Sequence, residues 1–339
     1  MKKIHKALLV LNHPKAAINK IKEELDADEV VTASVYEPED MWHHLEEADV
    51  VMTSYPLLGL DKKDTSNLRW LHADMAGPDM MYTPELASRD DLVVTAGNGR
   101  SSNAVAEHAF MFMLNLAFCF TDTYEAQKQK KWLRKLPDRA MTLTGKTAAI
   151  FGVGSVGSNI AKRCKVFGME VLGYNRTPLE PKPPFDQYYA DDDGKQEILK
   201  KADFVILALP LTDETYHMLG KKDFDMMKDS AYVINPARGP ILNENELIEA
   251  LKNKQIAGFA ADSFEIEPLD PKSPLWTMEN VLITPHASPS EPGKQAFITN
   301  LILDNIKAYK QGKKMRNVVE AFYAYSGPQR LRYDRRSSD

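Results

Sequence analysis

The segment AIFGVGSVGSNIAKR, residues 149–163, constrains the fold of this chain more than any other stretch. An apolar run typical of a buried strand leads into a GxGxxG pattern, and helical sequence follows it. The first glycine of such a pattern permits a tight turn, the second lets a pyrophosphate approach the backbone, and the third lets helix pack on strand. The helix N-terminus offers free N–H groups to phosphates. In this context the pattern predicts a dinucleotide site formed by Gly152, Gly154, Ser155, Val156 and Gly157, with an unliganded glycine turn as the alternative.

The end of the next predicted strand bears on which dinucleotide is bound. An Asp or Glu there accepts hydrogen bonds from the adenosine ribose of NAD. This chain has Asn175, followed by Arg176 and Thr177. Arginine grips phosphate with forked hydrogen bonds, and a threonine hydroxyl can add one more. The segment therefore predicts NADP(H) in preference to NAD(H), which remains possible. The alternative is that Arg176 is a solvated surface residue.

Apolar runs alternate with amphipathic stretches through the rest of the chain, as in parallel sheets covered by helices. The first half contains the strand-like runs KALLVLN, DVVMTSY, RWLHAD and LVVTAG. After a long apolar helix the pattern restarts with KTAAIFG, MEVLGYN, DFVILALP, AYVINPA, IAGFAAD and VLITPH. Most of these runs are apolar throughout, as strands buried on both faces are. The fold class predicted is α/β, with two doubly wound parallel-sheet units and turn-rich connections near 98–103 and 288–293.

Charge and cysteine content narrow the class of protein. The formal net charge of −5 argues against a nucleic-acid binder. The two cysteines, Cys119 and Cys164, cannot form a disulfide framework and have no metal-ligand spacing, so a reducing, cytoplasmic setting and no metal are expected. The longest apolar segment, residues 104–120, is too short and too polar to span a bilayer. It is better read as a buried or subunit-facing helix.

Three polar groups each follow an apolar strand in the second unit: Arg238, Glu267 and His286. Ligands of open α/β sheets bind at this edge. An arginine can anchor a carboxylate and polarise a carbonyl, and a histidine can supply the proton that accompanies a hydride. A carboxylate beside the histidine holds its orientation. Each residue alone is more often structural. The prediction therefore rests on the fact that all three residues come after predicted strands in the unit that contains the dinucleotide loop.

With these motifs in place, the chain resembles the D-isomer-specific 2-hydroxyacid dehydrogenases. The matching motifs are the glycine loop with AKRCKVFGMEVLGYNR, then LALPLTDET (207–215), NPARG (235–239), DSFEIEP (262–268) and TPH (284–286). Within the family, the segments QKQKKW (127–132), NRT and SPLW (273–276) are most similar to the glyoxylate/hydroxypyruvate reductase branch, which commonly prefers NADPH.

The resemblance implies roles for individual residues. Arg238 would bind the substrate carboxylate and carbonyl, His286 would be the acid–base residue and Glu267 its partner. In the loop ADMAGPDM (73–80), the backbone N–H groups of Ala76 and Gly77 would hold the carboxylate. Additional cofactor contacts are implied for Leu209, Pro210, Ala237, Asp262 and His286. Asp262 would either help to hold the nicotinamide or tune the groups around it.

The resemblance also implies a domain map, an activity and a partner. A flavodoxin-like substrate domain would comprise residues 1–100 and 290–325, with a Rossmann domain, 101–289, inserted into it. Residues 326–339 are expected to be a disordered tail. The implied activity is reduction of a small 2-keto acid by a homodimer that pairs through residues 101–122, with neither nucleic acid nor membrane as a partner. A dinucleotide-sensing protein similar to the C-terminal-binding-protein corepressors is the alternative, because fold alone does not fix function.

Overall fold

The computed structural model describes residues 3–79, 81–288 and 293–326. The described chain divides into two compact units. The first comprises residues up to Ser101, the short segment Leu211–Asp213 and the part that follows Glu291. The second comprises Ser102–Pro210 and Glu214–Ser290. The predicted tail, apart from Ser326, lies outside the described residues.

The first unit is built on a parallel sheet. Its strands are β1 (Lys6–Val10), β2 (Glu29–Thr32), β3 (Val50–Thr53), β4 (Trp70–Ala73) and β5 (Val93–Ala96), and its helices are α1 (Lys15–Leu25), α2 (Pro38–Glu47), α3 (Pro84–Ala87) and α10 (Lys294–Lys310). Among the described residues the strand order is β2-β1-β3-β4-β5, with every pair parallel. This is the flavodoxin order, in which the chain winds outward in both directions from a switch point.

Helix α10 belongs to this first unit, although it lies almost 200 residues beyond β5 in the sequence. Its apolar residues Ile298, Leu301 and Ile302 are buried in one cluster with Leu25 and Trp70. Residues three and four apart lie on one face of a helix, so this spacing buries a continuous apolar stripe. The stripe covers one face of the sheet.

The second unit contains a larger parallel sheet. Its strands are β6 (Thr147–Phe151), β7 (Glu170–Tyr174), β8 (Gln187–Tyr189), β9 (Phe204–Leu207), β10 (Tyr232–Asn235), β11 (Gly258–Ala261) and β12 (Val281–Ile283). Its helices are α4 (Ser102–Ala117), α5 (Phe120–Lys128), α6 (Ser155–Val166), α7 (Asp191–Lys201), α8 (Lys221–Phe224) and α9 (Glu244–Lys252). Within the described chain the order is β12-β11-β10-β9-β6-β7-β8. This is the Rossmann arrangement with one added strand, so the predicted fold class is confirmed.

Two strands were missing from the sequence-based prediction: β2 and β8. Both are edge strands of their sheets, and both are at least half-exposed along their length. The central strands β3, β9 and β10, by contrast, are buried at every position. None of their residues is fully buried, so these two strands lack the apolar run by which the central strands and the other edge strands, β5 and β12, were found.

The apolar segment 104–120 forms most of α4, which contributes Ala106, Phe112 and Met113 to the core of the second unit. Within the described residues, no single helix has the length and apolar character needed to cross a membrane. Helices α4 and α5 satisfy the length and composition requirement only as a pair, and they are bent by 70°.

Candidate active site

The glycine loop is closely packed at two of its glycines and open at the third. A Cβ added to Gly152, where φ is +96°, would lie 2.5 Å from the carbonyl oxygen of Ala208. A Cβ added to Gly157 would lie 1.9 Å from the carbonyl oxygen of Gly152. At Gly154 an added Cβ would meet no described protein atom within 4 Å. The first and third glycines are therefore required by the fold, whereas the second leaves room beside the start of α6, as a pyrophosphate site needs.

The predicted cofactor residues Leu209 and Pro210 follow β9, and Leu209 lies beside this loop. The backbone nitrogen of Leu209 is 3.0 Å from the Cβ position built on Gly152. Strands β6 and β9 are neighbours, so their carboxyl ends open onto the same edge of the sheet. The structure thus brings the glycine loop and Leu209 together at that edge.

Asn175, Arg176 and Thr177 follow β7 directly. The backbone N–H of Gly152 donates to the carbonyl of Tyr174 at 2.9 Å, so the glycine loop and this segment leave adjacent strands side by side. The Asn175 side-chain nitrogen donates to the carbonyl and the hydroxyl of Thr177, at 3.1 and 3.2 Å. These bonds fix a turn on which Arg176 is exposed.

The loop that carries Arg238 is held from inside by Asn235, a fully buried residue at the end of β10. Its amide nitrogen donates to the Arg238 carbonyl at 2.9 Å, and its amide oxygen accepts from Ala237 N at 3.1 Å. The next residue, Gly239, packs directly on the backbone of Phe264, because an added Cβ would lie 1.9 Å from the Phe264 carbonyl carbon. Asn235 was not predicted as a site residue, although it opens the NPARG motif.

His286 and Glu267 form the pair expected from the sequence. Nδ1 of the imidazole lies 2.8 Å from Oε2 of the carboxylate, and the other carboxylate oxygen accepts from Phe264 N at 3.0 Å. A carboxylate oxygen can only accept, so Nδ1 carries the proton and Nε2 is the nitrogen that can exchange a proton with a substrate. The histidine side chain is 35% exposed and Glu267 is 18% exposed. The ring is thus held on its Nδ1 side by Glu267, and part of its surface is accessible.

His286 adopts a left-handed backbone conformation, with φ of +53°. This conformation is unfavourable for a residue with a side chain, and it persists only where the surroundings enforce it. Asp262 supplies the restraint, because its carbonyl accepts from His286 N at 2.8 Å, and its side chain binds the residues on either side. Oδ1 accepts from the Thr284 hydroxyl at 2.5 Å and from Ala287 N at 2.8 Å, and Oδ2 accepts from Ser288 N at 2.9 Å.

The cofactor contact implied for Asp262 stays a prediction, and the structure shows which protein groups its side chain binds. The side chain is 1% exposed, and both of its oxygens bind within the protein. Asp262 therefore positions the His286 segment. His108 of α4 extends this network, since its Nε2 lies 2.8 Å from the Thr284 hydroxyl. His108 and Thr284 were not predicted as site residues, although Thr284 opens the TPH motif.

Ala76 and Gly77 belong to the first unit, in the loop after β4. The start of this loop is fixed by Gly97, whose backbone N–H donates to the carbonyls of both Ala73 and Met75 at 2.9 Å. Ala76 is exposed and Gly77 is half-buried. The loop is therefore anchored at its base, and its tip is exposed.

Comparison with known proteins places the chain in a family. Residues 110–288 match the model for the NAD binding domain of the D-isomer specific 2-hydroxyacid dehydrogenases. A glyoxylate reductase of Thermococcus gammatolerans is 35% identical over 235 residues, which are 68% of this chain and 70% of the relative. The chain belongs to the D-isomer specific 2-hydroxyacid dehydrogenase family. This 2-hydroxyacid dehydrogenase is thus an NAD(P)-dependent oxidoreductase, as the sequence predicted.

Two further relatives bear on the activity. A D-3-phosphoglycerate dehydrogenase of Methanocaldococcus jannaschii is 33% identical over 304 residues, which are 88% of this dehydrogenase but 56% of the relative. The solved structure of a family member from Xanthobacter autotrophicus, in complex with NADPH and MES, has 25% identity and a TM-score of 0.76, covering 94% of this chain and 99% of the other.

Proposed function

We propose that this dehydrogenase reduces a small 2-keto acid of the glyoxylate or hydroxypyruvate type to the corresponding D-2-hydroxy acid, with NADPH as the preferred cofactor. The proposal rests on the hydrogen bond between His286 Nδ1 and Glu267 Oε2, which lie 2.8 Å apart. His286 follows β12, at the same edge of the sheet as the glycine loop that follows β6. Such a pair supplies a proton at a fixed position, which reduction of a carbonyl requires.

Each residue has a defined task in this proposal. The bound cofactor supplies a hydride to the carbonyl carbon. Arg238 binds the substrate carboxylate and stabilises the negative charge that develops on the carbonyl oxygen. His286 delivers the proton to that oxygen from Nε2, while Glu267 holds the ring and stabilises its charged form. The backbone N–H groups of Ala76 and Gly77 bind the carboxylate.

Substitution of His286 and Glu267 tests the proton role. His286→Ala should lower kcat by about two to four orders of magnitude, the usual contribution of general acid–base catalysis, with the Kd for NADPH nearly unchanged. Glu267→Gln keeps the shape but removes the charge, so it should lower kcat less and shift the pH profile. Loss of NADPH binding in His286→Ala would mean instead that the histidine is structural.

The preference for NADPH rests on Asn175 and Arg176 at the end of β7, where a ribose-binding carboxylate would otherwise stand. Arg176→Asp should repel the 2′-phosphate and lower the ratio of NADPH to NADH efficiency by at least about tenfold. Arg134→Asp is the matched control, because Arg134 is also exposed but lies outside the nucleotide-binding strands. An unchanged ratio in Arg176→Asp would refute the preference.

A second candidate activity is oxidation of D-3-phosphoglycerate. It is favoured by the relative from Methanocaldococcus jannaschii, which aligns with 88% of this chain. Turnover with glyoxylate, hydroxypyruvate, pyruvate and D-3-phosphoglycerate, each with both nicotinamide cofactors, separates the two activities. Tight dinucleotide binding without any turnover would favour the sensing role instead.

We also propose that two copies associate through α4, α5 and the segment after them. Large apolar side chains are exposed there: Met111, Phe118, Phe120, Tyr124 and Trp132. Apolar side chains that cluster on a surface mark an interaction site, and a second copy of the chain buries both patches at once. Light scattering on the wild type and on Phe120→Glu should show a dimer that the substitution weakens.

A further inference from the structure

The peptide between Phe264 and Glu265 lies between two loops that carry proposed site residues. Phe264 N donates to Oε1 of Glu267 at 3.0 Å, so this segment holds the carboxylate of the acid–base pair. Gly239, the residue after Arg238, packs on the same peptide. A Cβ added to Gly239 would lie 1.9 Å from the Phe264 carbonyl carbon and 2.3 Å from Glu265 N. The position of this peptide therefore sets the spacing between the arginine loop and the acid–base pair.

Glu244 holds the peptide from the side of α9. Its Oε2 accepts from Glu265 N at 3.1 Å. Glu244 is the first residue of α9, and Asn243 caps the helix by accepting from Glu246 N at 3.2 Å. Acidic residues are favoured in the first turn, because the N-terminus of a helix is its positive end. The carboxylate is thus carried by a capped helix end, and its position is fixed.

The surroundings of the Glu244 carboxyl show how much it depends on this hydrogen bond. Burial raises its pKa, the hydrogen bond from Glu265 N opposes that rise, and the negative charge of Glu265 adds to it. A buried polar group is unfavourable unless it is hydrogen-bonded. The backbone N–H of Glu265 and the carboxylate therefore hold each other in place, and removal of either releases the other.

His217 makes a second connection between the same loops. Its backbone N–H donates to the carbonyl of Pro240 at 2.8 Å, and its Nε2 lies 3.3 Å from Oε1 of Glu265. The second distance is longer than the usual range of about 2.7–3.2 Å. It also involves the Glu265 side chain, whereas Glu244 holds the backbone. Glu244 is therefore the residue whose loss should displace the peptide most.

We propose that Glu244 is a positioning residue: by holding the Phe264–Glu265 peptide, it keeps the substrate-binding arginine and the acid–base pair at a fixed spacing. The inference rests on the proposed function, in which Arg238 binds the substrate carboxylate and His286 supplies the proton. Both must meet the same small substrate, and a displacement of about 1 Å can lower the rate about a hundredfold. Glu244 itself takes no part in substrate binding or proton transfer.

Two substitutions of Glu244 test the proposal. Glu244→Ala removes the acceptor and should lower kcat by about tenfold to a hundredfold. The Kd for NADPH should change less than about threefold, because the phosphates are bound at the glycine loop after β6. Glu244→Gln keeps an acceptor oxygen and should restore kcat to at least about half of the wild-type value. A kcat of Glu244→Ala within twofold of the wild type would overturn the proposal.

Glu246→Ala is the matched control. Glu246 lies in the same first turn of α9, and its Oε2 accepts from the backbone nitrogen of Lys221 at the start of α8, at 2.6 Å. The substitution removes the same kind of bond, but one that does not involve the site loops. Both alanine variants should lower the free energy of unfolding, and only Glu244→Ala should lower kcat. An equal fall of kcat in both would overturn the proposal, because loss of stability alone would then explain it.

Hydrogen exchange at Phe264 N gives a readout that does not need turnover. This amide donates to Glu267, so it should exchange faster only if loss of Glu244 releases the peptide. Phe259 N in β11 is the internal reference, since it donates to the carbonyl of Asn280 at 3.0 Å. In Glu244→Ala we expect Phe264 to exchange at least about tenfold faster relative to Phe259. In Glu246→Ala that ratio should stay at its wild-type value.

The measurement uses protein labelled with nitrogen-15 at phenylalanine, and the Phe264 signal is assigned by its loss in Phe264→Leu. An unchanged exchange ratio in Glu244→Ala would overturn the inference even if the enzyme reduces 2-keto acids. A wild type without turnover, together with faster Phe264 exchange in Glu244→Ala, would instead refute the proposed function. The two failures are therefore distinguishable.

Discussion

Two alanine substitutions in the glycine loop should separate dinucleotide binding from folding. Gly154 has φ of −69° and ψ of −162°, which alanine can adopt, and its added Cβ would meet no described protein atom within 4 Å. Gly157 also accepts an alanine backbone, but its added Cβ would lie 1.9 Å from the Gly152 carbonyl oxygen and 3.2 Å from the Ile150 side chain. The same chemical change therefore meets open space at one position and fixed backbone at the other.

The magnitudes follow from these contacts. At Gly154, alanine restricts the unfolded chain, which stabilises the folded protein by about 0.4–1 kcal/mol. Alanine is also a poorer N-cap than glycine, which destabilises the helix by a similar amount. The two effects nearly cancel, so the free energy of unfolding should change by less than about 0.5 kcal/mol. At Gly157, forcing an atom into a filled space costs about 1–3 kcal/mol or more. Because backbone must move, we expect about 3 kcal/mol, or a fall in Tm of roughly 6–12 °C.

Dinucleotide binding should respond in the opposite order. A methyl group at Gly154 occupies the space through which a pyrophosphate reaches the backbone, so Gly154→Ala should weaken NADPH binding by at least about tenfold. Thermal unfolding followed by circular dichroism gives stability, and quenching of protein fluorescence by NADPH gives Kd. Wild-type affinity in Gly154→Ala, or wild-type stability in Gly157→Ala, would refute the assignment of these two glycines.

Two further predictions concern buried ionisable groups. Asp262→Asn replaces one carboxylate oxygen, which accepts from backbone N–H or hydroxyl groups, with an NH₂ group that can only donate. The free energy of unfolding should therefore fall by about 2–4 kcal/mol. In the same urea titration, Thr284→Val should lower it by only roughly 1 kcal/mol. His72 has a folded-state pKa of about 4, below the ordinary 6.5, because burial disfavours its charged form. The unfolded chain therefore binds the extra proton, and His72 should reduce stability by about 3 kcal/mol as pH falls from about 6.5 to 4, with no effect above that window. Urea unfolding should show that His72→Gln loses less stability between pH 7 and pH 4.5 than the wild type or the exposed-site control His5→Gln. Equal losses of stability would contradict the argument.

The sequence was sufficient to predict the central strands and the order of the candidate site residues along the chain. Apolar runs such as DFVILALP predict strands buried on both faces, and the GxGxxG pattern sets the start of α6 at Ser155. The turn residues that follow each strand placed Asn175, Arg238 and His286 at the carboxyl edge. These features depend on local spacing, which the sequence contains.

The edge strands β2 and β8 and the supporting residues could not be found in this way. Strand β8 has three residues and one exposed face, so its sequence QYY has no distinctive period. Asn235 and His108 act through partners that are distant in sequence, and each could equally be an ordinary buried polar residue. A hydrogen bond between His108 and Thr284, 176 positions apart, exists only once the sheet has formed.

By itself, the sequence determined the α/β class, the family and the residue types that the chemistry needs, because periodicity and motif spacing are local properties. The tertiary structure alone decided which strand lies beside which, and with it the task of each charged group. Asp262 became the support of His286 since both of its oxygens are buried against the chain. The surroundings of His13 likewise depend on Thr299, which lies 286 positions away and comes within 3.1 Å of the ring only through the packing of α10 on the first sheet.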